Sequence, residues 1–201
     1  MKKGFTLIEL LIVIAILAIL MSVIVITLNP AEMLRKSRDS KRIADLSALR
    51  TALNLYLTDV SSPDLDTNVS GGCGTGTYGK AFLSVPAAAA GQCTSLSTSY
   101  CVTSDNVAKV DGNGWVPVDL TSISGGSPIA ALPLDPTNST SSNLYYAYGC
   151  DASALTYELN TKLETMTSFA QNDGGNTTAL YEVGSDPGLD LLPTPTAGYY
   201  Q

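Results

Sequence analysis

Apolar and polar positions divide the chain into three textures. From Phe5 to Leu28 only Thr6, Glu9, Ser22 and Thr27 interrupt an apolar run. As a helix rising about 1.5 Å per residue, this run covers roughly 36 Å, enough to cross a bilayer. A secretory signal peptide would show a shorter apolar core followed by a small-residue cleavage site, so the segment is expected to be retained. Asn29-Pro30 then interrupts it, since Pro30 removes a helical hydrogen bond and clashes with the Ile26 carbonyl. Between Ala31 and Asp59 no Gly or Pro occurs, and Ile43, Leu46, Leu49, Leu53 and Tyr56 recur every three or four residues. That is the stripe of an amphipathic helix, with Glu32 and Lys36 one turn apart on its surface. The two helical halves together would form a rod of roughly 80 Å.

Beyond Ser61-Ser62-Pro63 the chain becomes rich in Gly, Ser, Thr and Asn with short apolar runs, a pattern of loops and strands. Residues 78–86 (YGKAFLSVP) read as a strand or short helix, and 99–103 (SYCVT) as a strand. Residues 114–120 (GWVPVDL) read as an edge strand because of Pro117. The strongest pairing signal joins NLYYAYGC to LTYELNTKLE through Asp151-Ala152-Ser153 as a hairpin, and 179–184 (ALYEVG) adds a further strand. The expected organisation is residues 5–28 as a membrane helix, 29–60 as an amphipathic helix, 61–192 as a β-rich globular domain and 193–201 as a mobile tail.

Charge sharpens this picture. The net formal charge is −7, but residues 1–60 hold 8 of the 11 basic and 5 of the 18 acidic side chains. The remainder carries 3 basic and 13 acidic groups, a net of −10, which argues against nucleic acid as a partner of the globular domain. The absence of histidine excludes Ser-His-Asp and Cys-His catalysis and every histidine-containing metal site. Cys73, Cys93, Cys101 and Cys150 show no zinc spacing and are expected to form two disulfides in an oxidising compartment, with three connectivities open. That compartment conflicts with the basic residues. Lys2 and Lys3 before the apolar run are outnumbered by Arg35, Lys36, Arg38, Lys41 and Arg42 after it, which would put the domain in the cytoplasm. The conflict softens if Glu32, Asp39 and Asp45 pair with those basic residues along a continuing helix.

Glu9 is the anomaly of the apolar run. A carboxylate at membrane depth costs about 2.5–3.5 kcal/mol, so a partner is expected. Lys2-Lys3-Gly4-Phe5-Thr6-Leu7-Ile8-Glu9 followed by an apolar helix resembles the class III signal of type IV pilins and type II secretion pseudopilins. Residues 132–136 (LPLDP), LYYAY and YELNTKLE are similar to the C-terminal strand region of that family. The resemblance implies an α+β pilin fold, a long kinked N-terminal helix packed on a small antiparallel sheet with irregular loops. It implies cleavage of leader residues 1–4 after Gly4 by a prepilin peptidase, methylation of the new Phe5 amine, and extraction from the membrane by an ATPase-driven inner-membrane assembly platform. The partners it implies are therefore this peptidase, that platform, membrane lipid and further copies of the chain in a helical filament. The N-terminus would be cytoplasmic and the domain outside, first on a single-pass membrane precursor and then on a cell-surface filament. In that setting the freed Phe5 amine and the Glu9 carboxylate of a neighbour would neutralise one another.

The expected role is structural, and no catalytic residue is assigned. Glu158 and Glu164 could be imagined as an acid–base pair, but their strand context reads as exposed surface. No cofactor is expected beyond calcium, for which Asp135, Asp173, Asp186 and Asp190 are the candidate ligands, with 111–114 (DGNG) only a fragment of a calcium loop. Asn68, Asn138 and Asn176 each fit a short glycosylation pattern, too weak a signal for an assignment. Two alternatives stand beside the pilus subunit: a pseudopilin of a short secretion filament, and a membrane-anchored binding protein that does not polymerise.

Overall fold

The computed structural model describes residues 4–67, 69, 72–74, 80–85, 99–102 and 105–192. The expected tail at 193–201, Cys93 and Asn68 lie outside the described residues. Helix α1 spans Leu7–Leu28 and α2 spans Pro30–Asp59, separated by Asn29 alone. Asn29 adopts the left-handed conformation (φ 41°, ψ 74°), which a short polar side chain tolerates better than most. Its carbonyl accepts the Glu32 and Met33 amides, so the second helix starts at once. Pro30 occupies the first helical position, where its missing N–H costs nothing.

The amphipathic stripe of α2 lies where its periodicity predicts. Leu46, Leu49, Leu53 and Tyr56 are buried, Ile43 is half-buried, and the stripe extends toward the N-terminus through two charged residues, Asp39 and Arg42. It packs on a five-stranded sheet of order β2-β1-β3-β4-β5. The strands are β1 (Ala81–Leu83), β2 (Ser99–Cys101), β3 (Tyr146–Asp151), β4 (Thr156–Thr161) and β5 (Tyr181–Gly184). Four of them form the expected small antiparallel sheet, and β2 joins its edge parallel to β1. The β3–β4 hairpin forms with Tyr146 opposite Thr161 and Asp151 opposite Thr156. Asp151 closes its turn by accepting the Ser153 and Ala154 amides at 2.6 and 3.0 Å. A single-turn helix, α3 (Thr167–Ala170), leads toward β5.

The predicted edge strand at 114–120 does not form. An isolated bridge between Asp111 and Asp119 and a 3-10 turn at Leu120–Ser122 replace it. Trp115, Val116, Val118 and Leu120 are nevertheless buried, because this segment caps the core side-chain first instead of extending the sheet. Trp115 Nε1 donates to the Pro133 carbonyl at 3.0 Å, which satisfies its one polar group inside that core.

Strand alternation gives the sheet two covered faces. The inner face presents Phe82, Tyr146, Tyr148, Tyr157, Leu159 and Val183 to α2. Each inner tyrosine finds a polar acceptor for its hydroxyl: Tyr146 on Asp45 Oδ2 at 2.9 Å, Tyr148 on the Leu65 carbonyl at 3.0 Å, and Tyr157 on the Arg50 carbonyl and Asn54 Oδ1. Aromatic area is thereby buried without orphaned hydroxyls, and three of these bonds fix the sheet against the helix. The outer face carries a second cluster of Ala81, Leu83, Val85, Tyr145, Ala147, Leu180 and Leu192. A disulfide joins Cys73 to Cys150, 77 residues apart in sequence, and Cys101 is disulfide-bonded as well.

Candidate processing segment and assembly helix

Gly4 precedes α1 in open space, with no heavy atom within 4 Å of a Cβ built on it. Phe5 is 83% exposed. Thr6 is the N-cap, extended at φ −82° and ψ 149°, and forms a reciprocal capping box with Glu9. The Glu9 amide donates to Thr6 Oγ1 at 3.3 Å. In return Glu9 Oε2 accepts the Thr6 amide at 2.9 Å and the Thr6 hydroxyl at 2.7 Å. Within the single chain, therefore, the anomalous carboxylate is engaged by its own helix start. Thr6 is thus a helix-capping residue whose signature in the sequence is Thr-x-x-Glu before an apolar run.

Along α1 the apolar side chains from Leu7 to Ile24 point outward around the whole circumference, and none is covered by the rest of the chain. A helix this long and apolar has the dimensions to cross a membrane. A helix surface apolar all round is one that lipid or other helices cover.

Three of the basic residues after Pro30, Lys36, Lys41 and Arg42, find the acids expected for them, whereas Arg38 pairs with Glu164 instead. Lys36 pairs with Glu32 at 2.9 Å and Lys41 with Asp45 at 2.9 Å, each one helical turn away. Arg42 pairs with Asp39 at 2.8 Å, but both are fully buried, and the pair belongs to a larger network. Arg42 also grips both oxygens of Asp135 and donates to Glu164 Oε1 at 2.8 Å. Arg38 holds Glu164 through Nε and Nη2 at 2.7 and 2.6 Å. Asp39 accepts the backbone amides of Glu164, Thr165 and Met166 together with the Thr165 hydroxyl. Burial works to raise the Asp39 carboxyl, but these donors outweigh it and hold it below the usual range. The bonds to Arg38, opposed by burial and aided by Arg42, hold Glu164 low as well. This network clamps α2 to the turn after LPLDP and to the segment following β4.

The candidate calcium ligands are not brought together. Asp135 is consumed by Arg42 and by the amides of Thr137 and Asn138. Asp173 accepts the amides of Gly175 and Glu182, and Asp186 accepts the Thr156 hydroxyl and the Asp190 amide. Among the described residues no group of three or more His, Cys, Asp or Glu is arranged to hold a metal ion. Glu158 and Glu164 are not an exposed pair either. Glu158 is buried on the outer sheet face, while Glu164 is half-buried in the arginine network on the helix side. Asn138 has its amide committed, accepting from Ser84 Oγ and donating to the Ser84 carbonyl.

Residues 1–25 match the family model described as the prokaryotic N-terminal methylation motif. No curated protein matches the chain, and neither does any solved structure. The exposed apolar helix and the motif together fit a membrane-anchored precursor. The chain thus carries in residues 1–25 the methylation motif of a class III signal, consistent with the type IV pilin and pseudopilin family.

Proposed function

We propose that this chain is the precursor of a structural subunit of an extracellular helical filament of the type IV pilin kind. A peptidase removes residues 1–4, the Phe5 amine is methylated, and α1 anchors the subunit until an ATPase-driven platform extracts it. In the filament, α1 packs among the α1 helices of its neighbours, and the Glu9 carboxylate meets the Phe5 amine of an adjacent copy. A buried cation and a buried carboxylate are each unfavourable alone, and their pairing also fixes the axial register between subunits. The observation that carries this reading is the methylation motif on a helix whose apolar circumference the chain itself leaves uncovered. The role is structural and not catalytic.

Mass measurement on membrane fractions tests the first step. The mature chain is expected to begin at a methylated Phe5, and Gly4→Leu is expected to retain Met1. A wild-type chain that keeps Met1 overturns the proposal. Electron microscopy of sheared cell surfaces with peptide identification tests the second step. Long filaments containing this chain are expected, whereas a short assembly confined to the envelope would assign it to secretion as a pseudopilin.

A further inference from the structure

On the sheet face turned away from α2, strand alternation brings Glu158, Asn160 and Glu182 together. Asn160 is the register partner of Glu182, and Glu158 precedes it by two residues on β4. All three are buried, with 0% of Glu158 and 1% of Glu182 exposed. Glu158 Oε2 accepts the Leu192 amide at 2.9 Å. Glu182 Oε2 accepts the Thr177 amide at 3.1 Å, and its Oε1 accepts Asn160 Nδ2 at 3.1 Å. The two carboxyls thus tie the sheet to two covering segments, the loop through Thr177 and the end of the stretch 185–192, whose start is held separately by the Ser185 and Asp186 amides on the Tyr157 carbonyl and by the Thr156 hydroxyl on Asp186. The fit is close: a Cβ on Gly149, opposite Glu158, would lie 2.8 Å from the Leu192 side chain.

Among the described residues neither carboxyl forms an ion pair. Strand β3 places Gly149 opposite Glu158 and Ala147 opposite Asn160, and its next residue on this face, Asp151, is itself a carboxyl group. The charged groups that act most on them are acidic. Asp186, from the covering stretch, faces Glu158, while Asp173, from the loop before β5, and Glu158 itself face Glu182. Two such carboxyls in a layer without a cation are tolerable as neutral groups, and mutual repulsion sets in when they ionise.

We propose that Glu158 and Glu182 form a proton-controlled latch: while neutral they hold the Thr177 loop and the stretch 185–192 on the outer sheet face, and their ionisation loosens both. Burial pushes the Glu158 carboxyl up to about 7 and that of Glu182 up to about 8. In the opened form both return toward the ordinary 4.5, so between that value and about 8 the closed form binds more protons. Opening therefore becomes easier as pH rises through this window and levels off above it. The latch stands independently of filament assembly.

Amide hydrogen exchange on the full chain in detergent micelles, corrected for intrinsic rates, tests it. Protection of Leu192 and Thr177 is expected to fall by at least about tenfold between about pH 5 and about pH 8, and the fall is expected to vanish in E158Q/E182Q. A fall of the same size in that double variant overturns the latch, as does flat protection in the wild type. If the double variant does not fold, carbon-13 carboxyl titration of the wild type decides. Midpoints above about pH 6 support the latch, and midpoints near the usual carboxylate value overturn it.

Discussion

Arg42 holds both oxygens of Asp135, Nε donating to Oδ2 at 2.5 Å and Nη2 to Oδ1 at 3.1 Å, across a sequence separation of 93. The same guanidinium serves Asp39 and Glu164 through Nη1. A buried ion network of this kind adds little over a well-packed apolar core, but removing one member strands the others. Arg42→Met leaves Asp39 and Asp135 without a cation, and only Glu164 keeps a second one, Arg38. Chemical denaturation of the full chain in micelles is expected to show a loss of about 3–5 kcal/mol. Arg38→Ala, at a side chain 35% exposed, is expected to cost much less, because solvent screens its pair with Glu164. Equal effects from the two would contradict the network.

The pH dependence of that network follows from its carboxyls. Asp39 and Glu164 sit below their unfolded values of 3.8 and 4.5, so in that acid window the unfolded chain binds more protons. Their contribution is complete above those unfolded values and is lost as pH falls through the lowered folded ones. Stability is expected to drop steeply below about pH 4, and Asp39→Asn is expected to flatten the drop while lowering stability at neutral pH. An unchanged acid limb in Asp39→Asn, followed by denaturation at several pH values, would remove Asp39 from this role.

Much of the helical architecture was legible because it is written in local spacing. The stripe from Leu46 to Tyr56, the Asn29-Pro30 break and the Glu32–Lys36 pair all follow from residues within one or two turns of each other. The β3–β4 hairpin was legible for the same reason, with Asp151 starting its turn. What escaped depends on contacts between distant segments. Asp135 looked like a solvated ligand because its guanidinium partner lies on α2. Glu158 looked exposed because nothing in its own strand announces that Leu180, Leu189 and Leu192 return to cover that face. Residues 114–120 have strand composition, yet Trp115 and Val116 are used to plug the core end and not to extend a ladder.

The Cys73–Cys150 disulfide closes a separation of 77 residues. In the chain-entropy model a loop of that length restricts the unfolded state by about 4.5 kcal/mol. Replacing both residues by Ser is expected to remove most of that stability. Thermal unfolding should show a lowered midpoint that added reductant does not lower further through this bond. A double variant as stable as the wild type would mean that packing around Cys150 alone fixes this end of the sheet.

Glu9 has two roles that variants can separate. Within the chain it closes the capping box with Thr6, and in the proposed filament it also faces the Phe5 amine of a neighbour. Thr6→Ala removes the cap hydroxyl at a cost of about 1 kcal/mol to the helix start and leaves the carboxylate charge intact. Glu9→Gln does the reverse, since Gln serves at this position of a capping box but carries no charge. Glu9→Val removes both. If charge neutralisation drives assembly, all three variants reach the membrane fraction, Thr6→Ala still yields filaments in sheared surface preparations, and both Glu9 variants lose them. Filaments in Glu9→Gln together with their loss in Thr6→Ala would show that the carboxylate acts only as a cap, and the intersubunit pairing would have to be abandoned.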